Sequence, residues 1–253
     1  MRLFIPKNDE KMCVLAAERT FFCTFAAMNN DFQLLTPLLD VNPEPGVRVL
    51  AADVSPLESD ELFWFALSRV SSHRRKLVEE TKNRKVQNLR LGAALLLDKL
   101  LNQHGLHECD MEYFEGEHGK PAFATMRNLA FSLSHSGSVA AAALMPVPFV
   151  TYESRVWKNG EPMRRIASSI GLDVQKQTHK WESVAKSVFS EEELAAISQA
   201  PAPDEHFTRL WARHESHVKA TGEGVGRPLP EIPAEARIHE FQFGDYLLSL
   251  CIL

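Results

Sequence analysis

Over the first 46 residues apolar patches such as Phe21-Phe22-Cys23-Thr24-Phe25 recur without a steady period. They end at Asn42-Pro43-Glu44-Pro45-Gly46, a cluster of turn formers. Residues 1–46 are therefore read as an N-terminal extension with no assigned role. From Val47 the pattern is regular. Val47-Arg48-Val49-Leu50-Ala51-Ala52 predicts a strand, and Ser55-Pro56-Leu57-Glu58 has the form of a capping box with proline at the first helical position. Leu89, Ala93, Leu96 and Leu100 form an apolar stripe at helical spacing, within a helix expected from about His73 to His104 and closed by Gly105.

Further along, Leu129-Ala130-Phe131-Ser132-Leu133-Ser134 alternates as a strand does, and the apolar run Val139–Met145 is its expected partner across a His135-Ser136-Gly137 turn. Val150–Trp157 followed by Lys158-Asn159-Gly160-Glu161 suggests a hairpin. Gly171-Leu172-Asp173-Val174-Gln175 reads as a short strand. A helix capped by Ser190 and Glu193 follows, then a helix from about His206 to Ala220 stopped by Gly222. Arg237–Phe243 and Tyr246–Leu253 flank Gly244-Asp245 as a terminal hairpin. Strands and helices in both halves predict an α/β or α+β architecture.

Composition narrows the class. A chain of 253 residues with 45% hydrophobic and 24% charged positions has the make-up of an ordinary globular protein. Its formal net charge of −5 offers no broad basic field, so no nucleic-acid partner is expected and any anion site must be local. Cys13, Cys23, Cys109 and Cys251 form no CxxC pair, which argues against a zinc ribbon or a secreted disulfide framework. With charged residues near its start and no apolar run of membrane length, the chain is expected to be cytoplasmic and not membrane-bound.

The candidate chemistry lies in two elements. Period-two geometry puts Asp173 and Gln175 on one face of their strand, within reach of a single hard cation. Trp211, Glu215 and Lys219 are spaced four apart and share a helix face. Two carboxylates and a lysine would suit a Mg²⁺-pyrophosphate site. Singly, each piece has an ordinary explanation: a surface ion pair, a turn carboxylate, a wetted basic helix over Arg74–Lys85. His214-Glu215-Ser216-His217 has its histidines three apart, not the four of a zinc protease helix, and Gly222-Glu223-Gly224-Val225-Gly226 follows a helix and so fits no nucleotide-loop fingerprint.

In order, Gly119-Lys120-Pro121, Phe131-Ser132-Leu133-Ser134-His135-Ser136, Gly171-Leu172-Asp173-Val174-Gln175 and the run Trp211 to Gly222 resemble the signature blocks of the 4′-phosphopantetheinyl transferase superfamily. The resemblance covers roughly residues 47–253, and it is to the larger, single-chain type that serves peptide and polyketide synthases. It implies an α+β fold of two similar α/β subdomains forming an intramolecular pseudo-dimer, here 47–148 and 171–253, separated by an insertion at 149–170. It also implies transfer of the phosphopantetheine arm of coenzyme A to a serine of an apo carrier protein, with Mg²⁺, and the protein is expected to be a monomer. By that resemblance Asp173 and Glu215, together with Gln175, hold the metal. Glu215 is the base for the carrier serine, and Lys219 sits on the pyrophosphate. Lys120, Ser134 and His135 would take the 3′-phosphate, with Arg74, Arg75 and Arg90 as outer members of that anion site.

Three departures are visible. Gln175 stands where the family usually has a second acid, His214 where it usually has a lysine, and the gap from His135 to Asp173 is about twenty residues longer than usual. A non-catalytic relative that binds coenzyme A or a carrier is the alternative these raise; an unrelated hydrolase using the same carboxylates is a third reading.

Overall fold

The computed structural model describes residues 34–253 apart from 117, 127, 148–154, 159–160, 165–169 and 225–228. Chain contacts divide the molecule between Gln33 and Leu34, not after Gly46. The turn formers at 42–46 belong to a hairpin. Strand β1 (Thr36–Glu44) pairs antiparallel with β2 (Val47–Asp53), and the register shifts between Val41 and Glu44. Pro43, which lacks an N–H, lies in that irregular stretch of an edge strand, where no donor is required of it. This is why the cluster imitates a boundary.

Ser55–Glu58 is a single 3₁₀ turn without a side-chain cap, in place of the expected helix start. Asp53 Oδ1 accepts the Ser55 N–H at 2.6 Å, and the helix α1 (Asp60–Ser68) begins after Ser59, whose hydroxyl accepts from the Leu62 N–H. The helix expected over 73–104 is two. α2 (Ser72–Glu79) and α3 (Arg84–Asn102) are separated because the Asn83 side chain takes the Lys85 N–H and opens a new N-terminus.

Beyond α3, β3 (Tyr113–Glu115) pairs with β4 (Pro121–Phe123), and β5 (Leu129–Ser136) with β6 (Val139–Pro146). His135 and Ser136, expected in the turn, are the last residues of β5; Gly137 alone supplies the positive φ, 61°. The expected hairpin is present as β7 (Arg155–Lys158) and β8 (Glu161–Arg164), its Asn159-Gly160 turn lying outside the described residues. β9 (Ile170–Lys176), α4 (Glu182–Val188), α5 (Glu191–Gln199), α6 (Pro203–Thr221), β10 (Arg237–Phe243) and β11 (Tyr246–Ile252) complete the chain. The capping box at Ser190 and Glu193 forms, and Gly222 ends α6 at φ 73°.

The result is an α+β fold with two main sheets, ordered β1-β2-β6-β5 and β10-β11-β9. β6 is buried on both faces. Its Ala140, Ala142 and Leu144 join a core with Leu91, Ala94 and Leu97 of α3, while Val139, Ala141 and Ala143 join Leu172, Val174, Leu248 and Leu250 of the second sheet. Four consecutive alanines let a helix and a second sheet approach the same strand closely. α6 covers the other face of the second sheet, packing on β9 and β11. Among the described residues no helix is long and apolar enough to cross a membrane.

Candidate functional site

The site grows from the seam where β5 and β9, edge strands of their respective sheets, lie side by side. Ser132, Ser134 and Ser136 recur at period two, and their hydroxyls accept the main-chain N–H groups of Leu172, Val174 and Lys176 at 2.9, 3.1 and 3.0 Å. Side chains thus satisfy backbone donors that a neighbouring strand would otherwise take. On the opposite side, α6 comes within backbone contact of β9 at Gly171, where an added Cβ would lie 2.0 Å from the Ser216 carbonyl oxygen and 2.3 Å from the Ala220 nitrogen. Only glycine permits that approach.

Between these two constraints sits Asp173, 2% exposed. Its Oδ1 accepts from the Lys219 ammonium at 2.5 Å and from the Ser134 hydroxyl at 2.9 Å, and its Oδ2 accepts from the Gln175 amide at 2.9 Å. Lys219 also donates to Ser134 Oγ at 3.1 Å. The Ser134 hydroxyl, donating once and accepting twice, has used its hydrogen-bonding capacity within this cluster. Glu215, one turn before Lys219 on α6, has its carboxyl raised above the usual range, first by burial and then by the charge of Asp173, with Lys219 offsetting part of the effect.

This donor set fits a hard divalent cation. The charge of Asp173 is felt at the Glu215 carboxyl, and the Gln175 amide, whose nitrogen donates to Asp173, adds an oxygen of the type such a cation takes. Among the described residues no three His, Cys, Asp or Glu side chains converge as a metal cluster.

A cleft of about 370 Å³ opens beside the cluster, lined by Glu215, Lys219, Lys120, Arg74, Phe131 and Leu133 among others. Arg74 is 8% exposed, and its Nε and Nη2 atoms are buried without a hydrogen-bond partner among the described residues. Its guanidinium lies 4.6 Å from the Tyr113 ring centre and 3.6 Å from Glu108 Oε1, too far for a hydrogen bond. Glu108 is itself fully buried, held by the Ser71 N–H and hydroxyl at 2.7 and 2.8 Å and by the Tyr113 hydroxyl at 2.6 Å, and burial raises its carboxyl.

The other expected anion ligands are placed differently. The Lys120 ammonium donates to the carbonyls of Ile170 at 2.9 Å, Lys219 and Ala220, and burial with nearby Lys219 lowers its pKa to about 7. His135 keeps an exposed surface, yet the protein around it, then Lys219 and Arg90, hold its imidazole below the ordinary histidine range. Arg90 donates to the Leu77 carbonyl and the Thr81 hydroxyl, and Arg75 to the Ser68 carbonyl, both from the surface. His214 is oriented by Glu193 Oε1 at 2.8 Å and the Pro230 carbonyl at 3.1 Å, so Glu193 serves both a cap and a clasp between α5 and α6. Sequence reasoning missed Glu108, Tyr113 and Gly171. Only the glycine, inside a strand pattern, carried a readable signal of close approach.

Residues 169–251, about a third of the chain, match the model of the 4′-phosphopantetheinyl transferase superfamily. Three relatives show the same likeness. The 4′-phosphopantetheinyl transferase ffp of Bacillus subtilis is 26% identical over 152 residues, 59% of this chain and 58% of that protein. AcpT of Salmonella typhimurium is 29% identical over 148 residues, 55% of this chain and 66% of that protein. AcpT of Escherichia coli (strain K12) is 35% identical over 116 residues, 44% of this chain and 49% of that protein. The chain thus spans between about half and two thirds of the length of these relatives. The resemblance read from the four sequence blocks is borne out.

Proposed function

We propose, from this likeness to the 4′-phosphopantetheinyl transferase superfamily, that the chain transfers the 4′-phosphopantetheine arm of coenzyme A to a serine of an apo carrier protein. The observation that carries the reading is the convergence of Asp173, Glu215 and Lys219, two carboxylates and an ammonium, beside a cleft that Glu215 and Lys219 line together with a buried arginine.

Asp173 and Glu215, with the amide oxygen of Gln175, would hold Mg²⁺, which when bound supplies Lewis-acid neutralisation of the pyrophosphate. Lys219 places its ammonium against the phosphate that leaves. Glu215, its carboxyl raised by burial and by Asp173, is suited to accept the proton of the carrier serine. The serine oxygen forms a bond to the β-phosphorus as the bond to the bridging oxygen breaks, and 3′,5′-ADP departs. Arg74 offers a phosphate oxygen buried N–H groups that have no hydrogen-bond partner among the described residues, with His135 and Arg90 nearer the surface. A neutral His135 can gain its proton as a dianionic phosphate arrives.

The two sheets, each carrying a long helix (α3 and α6), are read as the two α/β halves of a pseudo-dimer, with β7 and β8 as an insertion between them. The protein is read as a cytoplasmic monomer. Incubation with coenzyme A, Mg²⁺ and a broad panel of apo carrier proteins should add one phosphopantetheine mass to a carrier serine and release 3′,5′-ADP. No added mass on any carrier would overturn the proposal.

A second reading, a coenzyme A- or carrier-binding relative without turnover, is favoured only by the Gln175 amide nitrogen resting on Asp173 where the resemblance expects an acid. Calorimetry separates the two: tight coenzyme A binding without transfer at high Mg²⁺ supports it, and measurable transfer ends it.

A further inference from the structure

We propose that Lys120 is a positioning residue, a strut that ties the end of α6 to the start of β9, and not a ligand for the 3′-phosphate. The proposal rests on the transferase reading for its kinetic consequence only; its structural consequence stands without it.

Lys120 enters from the loop between β3 and β4. That loop is closed by the Gly116 N–H on the Lys120 carbonyl at 2.9 Å and the Gly119 N–H on the Gly116 carbonyl at 3.0 Å, with Gly119 at φ 77°. From there its ammonium reaches the carbonyls of Lys219 and Ala220 in the last turn of α6 and the carbonyl of Ile170, the first residue of β9. The last carbonyls of a helix have no partner within it, so a lysine there satisfies acceptors and complements the helix dipole. Gly222, in the left-handed conformation, donates its N–H to the Val218 carbonyl.

One side chain therefore links the strand that presents Asp173 to the helix that presents Glu215 and Lys219. Those three groups act together only while strand and helix keep their register, and a misplacement of about 1 Å in such a constellation costs rate steeply. Either protonation state of Lys120 retains at least two N–H donors for these carbonyls. Its ammonium is occupied by these carbonyls, whereas in the cleft wall Arg74 Nε and Nη2 are buried without a hydrogen-bond partner among the described residues.

The test compares wild type with Lys120→Met, and with Lys120→Gln in case the methionine variant does not fold. Amide exchange is measured without ligand over residues 215–222, with 60–68 as an internal control. Transfer is measured with coenzyme A and with 3′-dephospho-coenzyme A. A strut predicts exchange about tenfold faster at 215–222 with the control segment unchanged. It also predicts a fall in kcat of about tenfold with both donors, and an unchanged ratio of kcat/KM between them. Unchanged exchange together with a preference for coenzyme A that collapses about tenfold would make Lys120 a phosphate ligand and overturn the proposal. Should the wild type transfer nothing to any carrier, the exchange result alone decides: faster supports the strut, unchanged overturns it.

Discussion

Glu215 illustrates what a site costs a single residue. Burial and the charge of Asp173 raise its carboxyl, so the folded chain binds that proton more tightly than the unfolded chain does. Stability from this group therefore falls as pH rises through the carboxylate range and stays lowered at neutral pH. Glu215→Gln should abolish transfer yet raise the thermal midpoint of the metal-free protein at pH 7, by about 2 °C, with the gain vanishing at acidic pH. A lowered midpoint in differential scanning calorimetry would show that Glu215 stabilises the fold. Gln175 poses the converse case, because its amide nitrogen donates to Asp173 where an acid would repel it. Gln175→Glu should lower the metal-free midpoint and reduce the Mg²⁺ concentration needed for half-maximal transfer. An unchanged metal titration would remove Gln175 from the metal site.

At the scale of elements, the position of α6 on β9 decides where Glu215 and Lys219 point. A Cβ on residue 171 would overlap the Ser216 carbonyl at 2.0 Å, and both partners are backbone that cannot rotate away. Gly171→Ala should cost about 3 kcal/mol in urea unfolding and lower activity by displacing the helix; a midpoint equal to wild type would refute the close approach. The strand and helix that carry Asp173, Gln175, Glu215 and Lys219 were legible because period two and period four are written directly in the chain. The hairpin at 36–53 was not, since Pro43, Pro45 and Gly46 look alike whether they end a domain or shape an edge strand. The split between α2 and α3 was equally hidden. Asn83 has the chemistry of an N-cap, but nothing local says that it starts a new helix inside a continuous basic run.

For the whole molecule, the seam between the sheets makes the fold and the site a single problem. Ser132, Ser134 and Ser136 were visible as a polar alternation in an apolar strand, but their partners lie some forty positions away, beyond the reach of any local pattern. Ser132→Ala should leave the buried Leu172 N–H unsatisfied and cost about 1–3 kcal/mol of stability, seen as a lowered urea midpoint; an unchanged midpoint would mean the sheets hold without that bond. The alanine run of β6 closes the same core from within, so sheet packing and site geometry should fail together. All of this matters to function only if the converged carboxylates act on coenzyme A. Intact-mass analysis of apo carrier proteins incubated with coenzyme A, Mg²⁺ and either wild type or Asp173→Ala puts that most directly. The account predicts one phosphopantetheine arm added by the wild type and none by the variant; equal modification by both, or by neither across a broad carrier panel, would contradict it.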